Sequence, residues 1–296
     1  LLDALRIVVP QDDPNVQVAM DQVASSLVFA SYPAPARPDR HTQLRNRAAS
    51  LSSDAARLAT AGARAEALTT SQALVDAYRE LDVLDPDAYR RDLAASLINH
   101  AVWLAEAGRG AEALTTSQQA VDLHRQLVEL NRDAYLPGLA TCLNNHASRL
   151  VEAGRRTEAL VVSREAVDAH RELIDLDRGA YLPDLAASVN NLAVQLGEAG
   201  RRAEALVISQ EAVDLRRELV GLDRDAYLPD LATSLWNIGS VGLKVGVVTP
   251  EVIALTTEGV GYFEALAASE PAVFADRRNA AASTLAELRQ KISDRS

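Results

Sequence analysis

Residues 178–223 read RGAYLPDLAASVNNLAVQLGEAGRRAEALVISQEAVDLRRELVGLD, and most of the chain is built from variants of this stretch. Its tyrosine, Tyr181, recurs as Tyr89, Tyr135 and Tyr227, each 46 residues from the next. Its turn, Ala199 to Arg201, recurs at Ala107 to Arg109 and at Ala153 to Arg155. A fixed period of this size marks a solenoid of stacked supersecondary units, in which function lies on a shared surface rather than in one central pocket.

Each repeat encodes two helices. The first runs from the tyrosine region to the Glu-Ala-Gly turn, as from Tyr135 to Ala153, with Pro137 expected in its first turn, where proline costs little. Gly154 supplies the stop, since glycine takes positive φ without strain. The second spans about Arg156 to Leu176, with Ala159, Leu160, Ala166, Val167, Leu173 and Leu176 as its apolar stripe. A lone hairpin of this kind cannot bury its stripe, so neighbouring hairpins must stack. The expected fold class is all-α: a right-handed α-solenoid of stacked antiparallel helix pairs.

The 296 residues divide accordingly. Residues 1–40 read as a cap, with a helix from about Asn15 to Tyr32 and a proline-rich connector, and 41–296 as the array. Its repeats fall at about 41–85, 86–131, 132–177, 178–223 and 224–270, with a closing helix over 271–296. The first repeat is degenerate, carrying Arg47, Ser52, Ser53 and Asp54 where later ones carry Leu93, Ile98, Asn99 and His100. The fifth replaces the usual turn with GLKVGVVTPEV, in which Thr249 and Pro250 begin a helix. Gly259 and Gly261 lie inside that helix, where either close packing or a binding contact would require them, and close packing is the expected reason.

Composition narrows the function. A net charge of −11 disfavours the phosphate backbone of nucleic acid. No apolar run reaches the roughly 20 residues that cross a bilayer, and no signal peptide is evident. A cytoplasmic location is expected. A single cysteine, Cys142, excludes an internal disulfide framework and any cysteine-based zinc site. Because it aligns with Ser96, Ser188 and Ser234, it reads as a small buried residue rather than a nucleophile. Four histidines fall in register, His100 with His146 and His124 with His170, as packed core residues do. No phosphate loop, HExxH or nucleophile elbow occurs, so no catalytic residue, metal site or cofactor is expected.

With Leu192 and Ala193 set on the family's Leu-Gly pair, Leu196 on its tyrosine, and Ala205 and Ala212 on its helix B alanines, the repeats resemble the tetratricopeptide family. The match is to the long-helix version found in kinesin light chains and in bacterial signalling and defence proteins, and covers about Thr42 to Ala286. Ser209, Arg217 and the 46-residue period depart from the family's standard pattern of 34. The resemblance implies that the first helix of each pair, helix A, lines a concave face that binds a peptide or protein segment. Position by position the implied site is Asn99, Asn145, Asn191 and Asn237, with Ile98, Asn144, Asn190 and Trp236 beside them. One turn on come Val102, Ser148, Val194 and Ser240, and at the next turn Glu106, Glu152, Glu198 and Lys244.

These residue types carry an argument of their own. Asparagine inside a helix costs about 0.7 kcal/mol against alanine, so a recurring row should have partners. The amides either grip the backbone of an extended peptide or bond to the next helix and hold the stack in register. Trp236 is either an exposed anchor or a core residue. The glutamate edge points to a neutral or basic partner rather than an acidic one. The leading expectation is a non-enzymatic interaction scaffold. The alternatives are the sensor or autoinhibitory part of a larger bacterial signalling or defence protein, whose effector lies upstream of Leu1, and a homo-oligomerisation module.

Overall fold

The computed structural model describes residues 39–294, and the cap and connector expected over 1–38 lie outside them. The chain divides into two compact units, Leu1–Asn46 and Arg47–Ser296. Of the first, the described part is the start of α1, where Asp39 accepts a hydrogen bond from the Thr42 N–H at 2.7 Å.

Eleven helices make up the described residues: α1 (Arg40–Ala61), α2 (Arg64–Leu84), α3 (Pro86–Glu106), α4 (Gly110–Leu130), α5 (Arg132–Glu152), α6 (Arg156–Leu176), α7 (Arg178–Glu198), α8 (Arg202–Leu222), α9 (Arg224–Val245), α10 (Pro250–Ser269) and α11 (Pro271–Ser293). Odd-numbered helices from α1 to α9 are the A helices, and even-numbered ones are the B helices. From α2 to α11 each helix packs against the next, α5 and α9 also meet the preceding A helix, and α7 meets α5 through Asn191 and Asn144. This is an all-α solenoid of antiparallel pairs.

Two kinds of joint set the geometry. Within a repeat, helix A ends on a glycine in the left-handed region, at φ of 67° to 74° for Gly62, Gly108, Gly154, Gly200 and Gly246. At Gly154 the Arg155 N–H reaches Leu150 O at 2.8 Å and the Gly154 N–H reaches Val151 O at 2.9 Å, the paired bonds of a Schellman stop. Between repeats one residue does both jobs. Asp85, Asn131, Asp177 and Asp223 end helix B in extended backbone, and each side chain caps the next helix A by accepting an N–H three residues on, at 3.0–3.2 Å.

Helix A therefore starts earlier than the sequence suggests, at Arg132 rather than near Tyr135. Pro137, Pro183 and Pro229 lie inside their helices rather than in the first turn. Each removes the donor to a carbonyl four residues back, and those residues, Asp133, Gly179 and Asp225, are exposed, so water satisfies them. The tyrosines take the N4 position and Leu84, Leu130, Leu176 and Leu222 the N′ position, the spacing of a hydrophobic staple. These leucines are more than half exposed, so Leu176 does not belong to the buried stripe expected of α6.

The core is built from small residues in columns. Ala67, Ala113, Ala159 and Ala205 form one column and Ala94, Ala140, Ala186 and Ala232 another, all fully buried. Leu81, Leu127, Leu173 and Leu219 form a third with almost no exposure. Alanine lets helix axes approach closely and loses little side-chain entropy on burial.

In the fifth repeat the Thr249 hydroxyl caps α10 by accepting from the Val252 N–H at 3.2 Å. The two glycines of α10 differ. A Cβ at Gly259 would stand 2.8 Å from Leu235 Cβ and 3.2 Å from the Ala232 carbonyl, whereas one at Gly261 would meet nothing within 4 Å. Packing explains the first and not the second. Thermal melting of Gly259→Ala should show destabilisation of about 1–3 kcal/mol, and Gly261→Ala a gain of about 0.5–1 kcal/mol from lost unfolded-state freedom.

Candidate functional site

Helix A presents its expected residues on one face, half-buried from Val102 to Ser240 except for exposed Asn99, Glu106, Glu152, Glu198 and Lys244. The asparagines divide into two groups. Asn191 of α7 donates to Asn144 of α5 at 3.2 Å, and Asn237 of α9 donates to Asn190 of α7 at 3.1 Å. These four amides bridge successive A helices and hold their register. Ser148 turns back to its own helix, donating to the Asn144 carbonyl at 3.2 Å.

The bridge stops at α5. The residue that would accept from Asn145 is Ile98, which has no acceptor, and the Asn145 side chain makes no hydrogen bond among the described residues. There a shallow cleft of about 10 Å³, room for about one water, opens between α3, α4 and α5, lined by Ile98, Ala101, Val102, Ser117, Ala120, Cys142, Asn145 and Arg149. Its floor is largely apolar, the Ser117 hydroxyl is engaged by His146, and its other polar groups sit at Asn145 and Arg149. The sequence contained this signal, since Ile98 is the one aliphatic residue in its column, beside Asn144, Asn190 and Trp236.

The glutamate edge does not present free carboxylates. Glu106 pairs with Arg64 at 3.4 Å, Glu152 with Arg149 at 2.8 Å and Glu198 with Lys244 at 3.2 Å. Trp236 is not an exposed anchor. Its indole N–H donates to Thr284 of α11 at 2.9 Å, and its ring meets Phe263 edge-on at a centroid distance of 6.4 Å.

A feature missed in the sequence covers the B helices. Arg125 meets Glu165 at 2.8 Å, Arg171 meets Glu211 at 2.9 Å and Arg217 meets Glu258 at 2.7 Å, while Arg79 donates to Gln119 at 3.1 Å. Arg132 with Glu172 and Arg178 with Glu218 form a second series, at 2.6 and 2.7 Å. The partners lie 40 residues apart, or 41 across the longer fifth repeat. Each exposed pair contributes about 1 kcal/mol at most, but together they leave the B face charge-matched to itself.

The buried polar residues serve the stack. Ser71 and Ser117 donate to Leu68 O and Leu114 O, so each hydroxyl oxygen accepts from a histidine Nδ1–H, His100 at 2.9 Å and His146 at 2.8 Å. In the next repeat Leu192 replaces the histidine, and Ser163 instead donates to Gln195 at 2.7 Å. His124 Nδ1 stands 3.1 Å from Cys142 Sγ, a distance at which a nucleophilic pair could form. Burial, however, pushes the thiol well above its ordinary range and the imidazole below its own, so the neutral pair is favoured over thiolate and imidazolium. Among the described residues no group of three or more His, Cys, Asp or Glu is placed to hold a metal, and no helix is long and apolar enough to cross a membrane.

A profile of the Tetratricopeptide repeat family matches residues 139–177 and 185–225, which are most of α5 to α8. Those two segments carry tetratricopeptide repeats. Solved structures share the fold of the array. RapI in its apo form aligns over 94% of this chain and 92% of its own, with a TM-score of 0.58 at 11% identity. BtubC (BKLC) from P. vanneervenii aligns over 75% and 92%, at 0.52 and 20% identity. The nearly identical TPR-like repeats of a candidate kinesin light chain from Podosopora anserina align over 79% and 99%, at 0.51 and 17% identity. At these identities the likeness is one of fold. No curated protein matches the sequence.

The two groups of asparagines should separate experimentally. A double-mutant cycle on Asn144→Ala and Asn191→Ala, followed by chemical unfolding, should give a coupling of about 0.5–1.5 kcal/mol. Asn99→Ala, on the exposed side of α3, should be neutral or stabilising by about 0.7 kcal/mol at most.

Proposed function

We propose that this repeat array is a non-enzymatic interaction scaffold that holds an extended peptide or protein segment on its helix A face, centred on the cleft between α3 and α5. The observation that carries the reading is the Asn145 amide, half-buried and unengaged above an apolar floor. An amide donates and accepts at once, so it can bond the backbone of an extended segment whatever its sequence. The partly exposed Ile98 and Val102 beside it offer apolar surface against which an aliphatic side chain of the segment can lie. A neutral segment fits better than a basic one, because Glu106, Glu152 and Glu198 are matched by cations of the array itself.

The test is selection of short peptides against the intact chain from a displayed random library, with affinities then measured by calorimetry. Asn145→Ala should weaken a selected peptide about tenfold, equivalent to about 1.4 kcal/mol, and Val102→Arg, which puts a long charged side chain on the apolar surface beside it, should abolish binding. Both variants should melt as the parent does. Selected peptides that bind both variants as tightly as the parent would place recognition elsewhere and overturn the reading.

A further inference from the structure

The repeats differ at one buried position in a way that bears on acid sensitivity. Tyr78, His124, His170 and Arg216 occupy the same place on α2, α4, α6 and α8, facing the following helix A. The position that can answer them on that helix holds Asp92, Gly138, Asp184 and Asp230 in turn. At the last of these the cation is permanent and is met, with Arg216 lying 2.9 Å from Asp230. At His170 the carboxylate of Asp184 is in place and acts on the ring.

At His124 the answering residue is glycine. The Nδ1 of His124 lies 3.0 Å from the Ala120 carbonyl, which only accepts, so Nδ1 carries the proton and Nε2 is the atom that would take a second one. Nε2 sits over Gly138, 2.5 Å from where a Cβ would be, and no side chain stands there to meet a charge. From α5 the other group facing His124 is the Cys142 thiol, which burial keeps neutral.

The same seam holds His146, whose Nδ1 is engaged by Ser117 of α4. Two carboxylates favour its charging, Asp122 and Glu158, and two guanidiniums oppose it, Arg125 and Arg155. They are already matched, Asp122 with Arg125 at 3.9 Å and Glu158 with Arg155 at 2.5 Å. His100, in the seam between α2 and α3, has the same arrangement, with Asp76 held by Arg79 and Glu112 by Arg109. Counted by uncompensated protons, the α4–α5 seam has two, α2–α3 one, α6–α7 a histidine with its carboxylate waiting, and α8–α9 none.

We propose that the α4–α5 seam is an acid-labile joint, at which mild acid opens the array while the α6–α7 and α8–α9 seams stay closed. A histidine that is neutral when packed and free to charge when exposed takes up a proton on opening, so the closed seam is fully stable above the ordinary histidine range and loses stability as pH falls below about 6.5. Two such groups raise the opening constant by up to about a hundredfold per pH unit. The cleft between α3 and α5 shares these walls and would come apart with the seam, but the joint does not depend on what the cleft binds.

The chain contains its own probe, because its single cysteine, Cys142, is buried in this seam. Labelling with 4,4′-dithiodipyridine, which reacts in acid, is measured on the full chain at about pH 7.5 and about pH 5, each rate divided by that of the urea-unfolded chain at the same pH. The normalised rate should rise at least about a hundredfold at the lower pH, with most of the helical circular dichroism retained. The double variant His124→Gln, His146→Leu should remain protected, while His170→Gln should behave as the parent. Hydrogen exchange of the parent, corrected for intrinsic rates, supplies the same answer if the double variant fails to fold: α4 and α5 should lose protection before α6 to α9. Unchanged Cys142 protection in acid, or loss of protection in all helices together, would overturn the proposal.

Discussion

The single-residue junction between repeats is the constraint on which the structure depends. Asp85, Asn131, Asp177 and Asp223 each close one helix and cap the next, so no slack exists between a B helix and the following A helix. A junction of constant length, together with a glycine stop of constant geometry, keeps the regular repeats in one register. That constancy lets alanines at fixed period form continuous buried columns. It also places the Arg–Glu contacts between B helices of the regular repeats at the same 40-residue separation. Were one junction to lengthen, both patterns would fall out of step from that point onward. The fifth repeat shows the case: the longer connection between α9 and α10 moves the last rung to Glu258, 41 residues from Arg217.

Against such a regular frame, the informative positions are those at which one repeat breaks its own column. Ile98 interrupts the asparagines, leaving Asn145 unbridged and opening the cleft. Gly138 interrupts the aspartates, leaving His124 without a counter-charge. Both exceptions occur where the second and third repeats meet, so the stack has given up two cross-helix contacts at one place. In a protein whose stability is a sum of repeat terms and nearest-neighbour terms, such a loss is not averaged over a common core but stays local.

Much of the fold was legible from the sequence because a period is a strong signal, each repeat confirming the reading of the others. The glycine stops and the burial of Cys142 and the paired histidines follow from register, and the Thr249 cap from the Thr-Pro pair itself. What escaped was information that register does not carry. The helix starts were misplaced because the capping residue precedes the conspicuous tyrosine, and Asn131 looks like a loop residue until its amide is seen to accept from Ala134. Leu176 is apolar for the entry of the next helix rather than for the stripe of its own. The glutamate edge and the Arg–Glu series required knowing which helices touch, since partners 40 residues apart leave no mark on local composition. Trp236 was ambiguous because its covering partner, Thr284, lies outside the repeats altogether.

The candidate site shows the same division in finer detail. A row of recurring asparagines invites a single interpretation, yet the structure assigns Asn144, Asn190, Asn191 and Asn237 to the stack and leaves Asn145 aside. The difference arises not at the asparagines but one repeat earlier, in whether the facing position carries an acceptor. An amide that costs helix stability and is matched by a neighbour contributes to register. The same amide without a neighbour keeps its hydrogen-bonding capacity, and on a half-buried surface it can use that capacity on water or on a partner. Which of these an asparagine does in a repeat array is therefore a property of the pair of positions, and a sequence column read alone does not contain it.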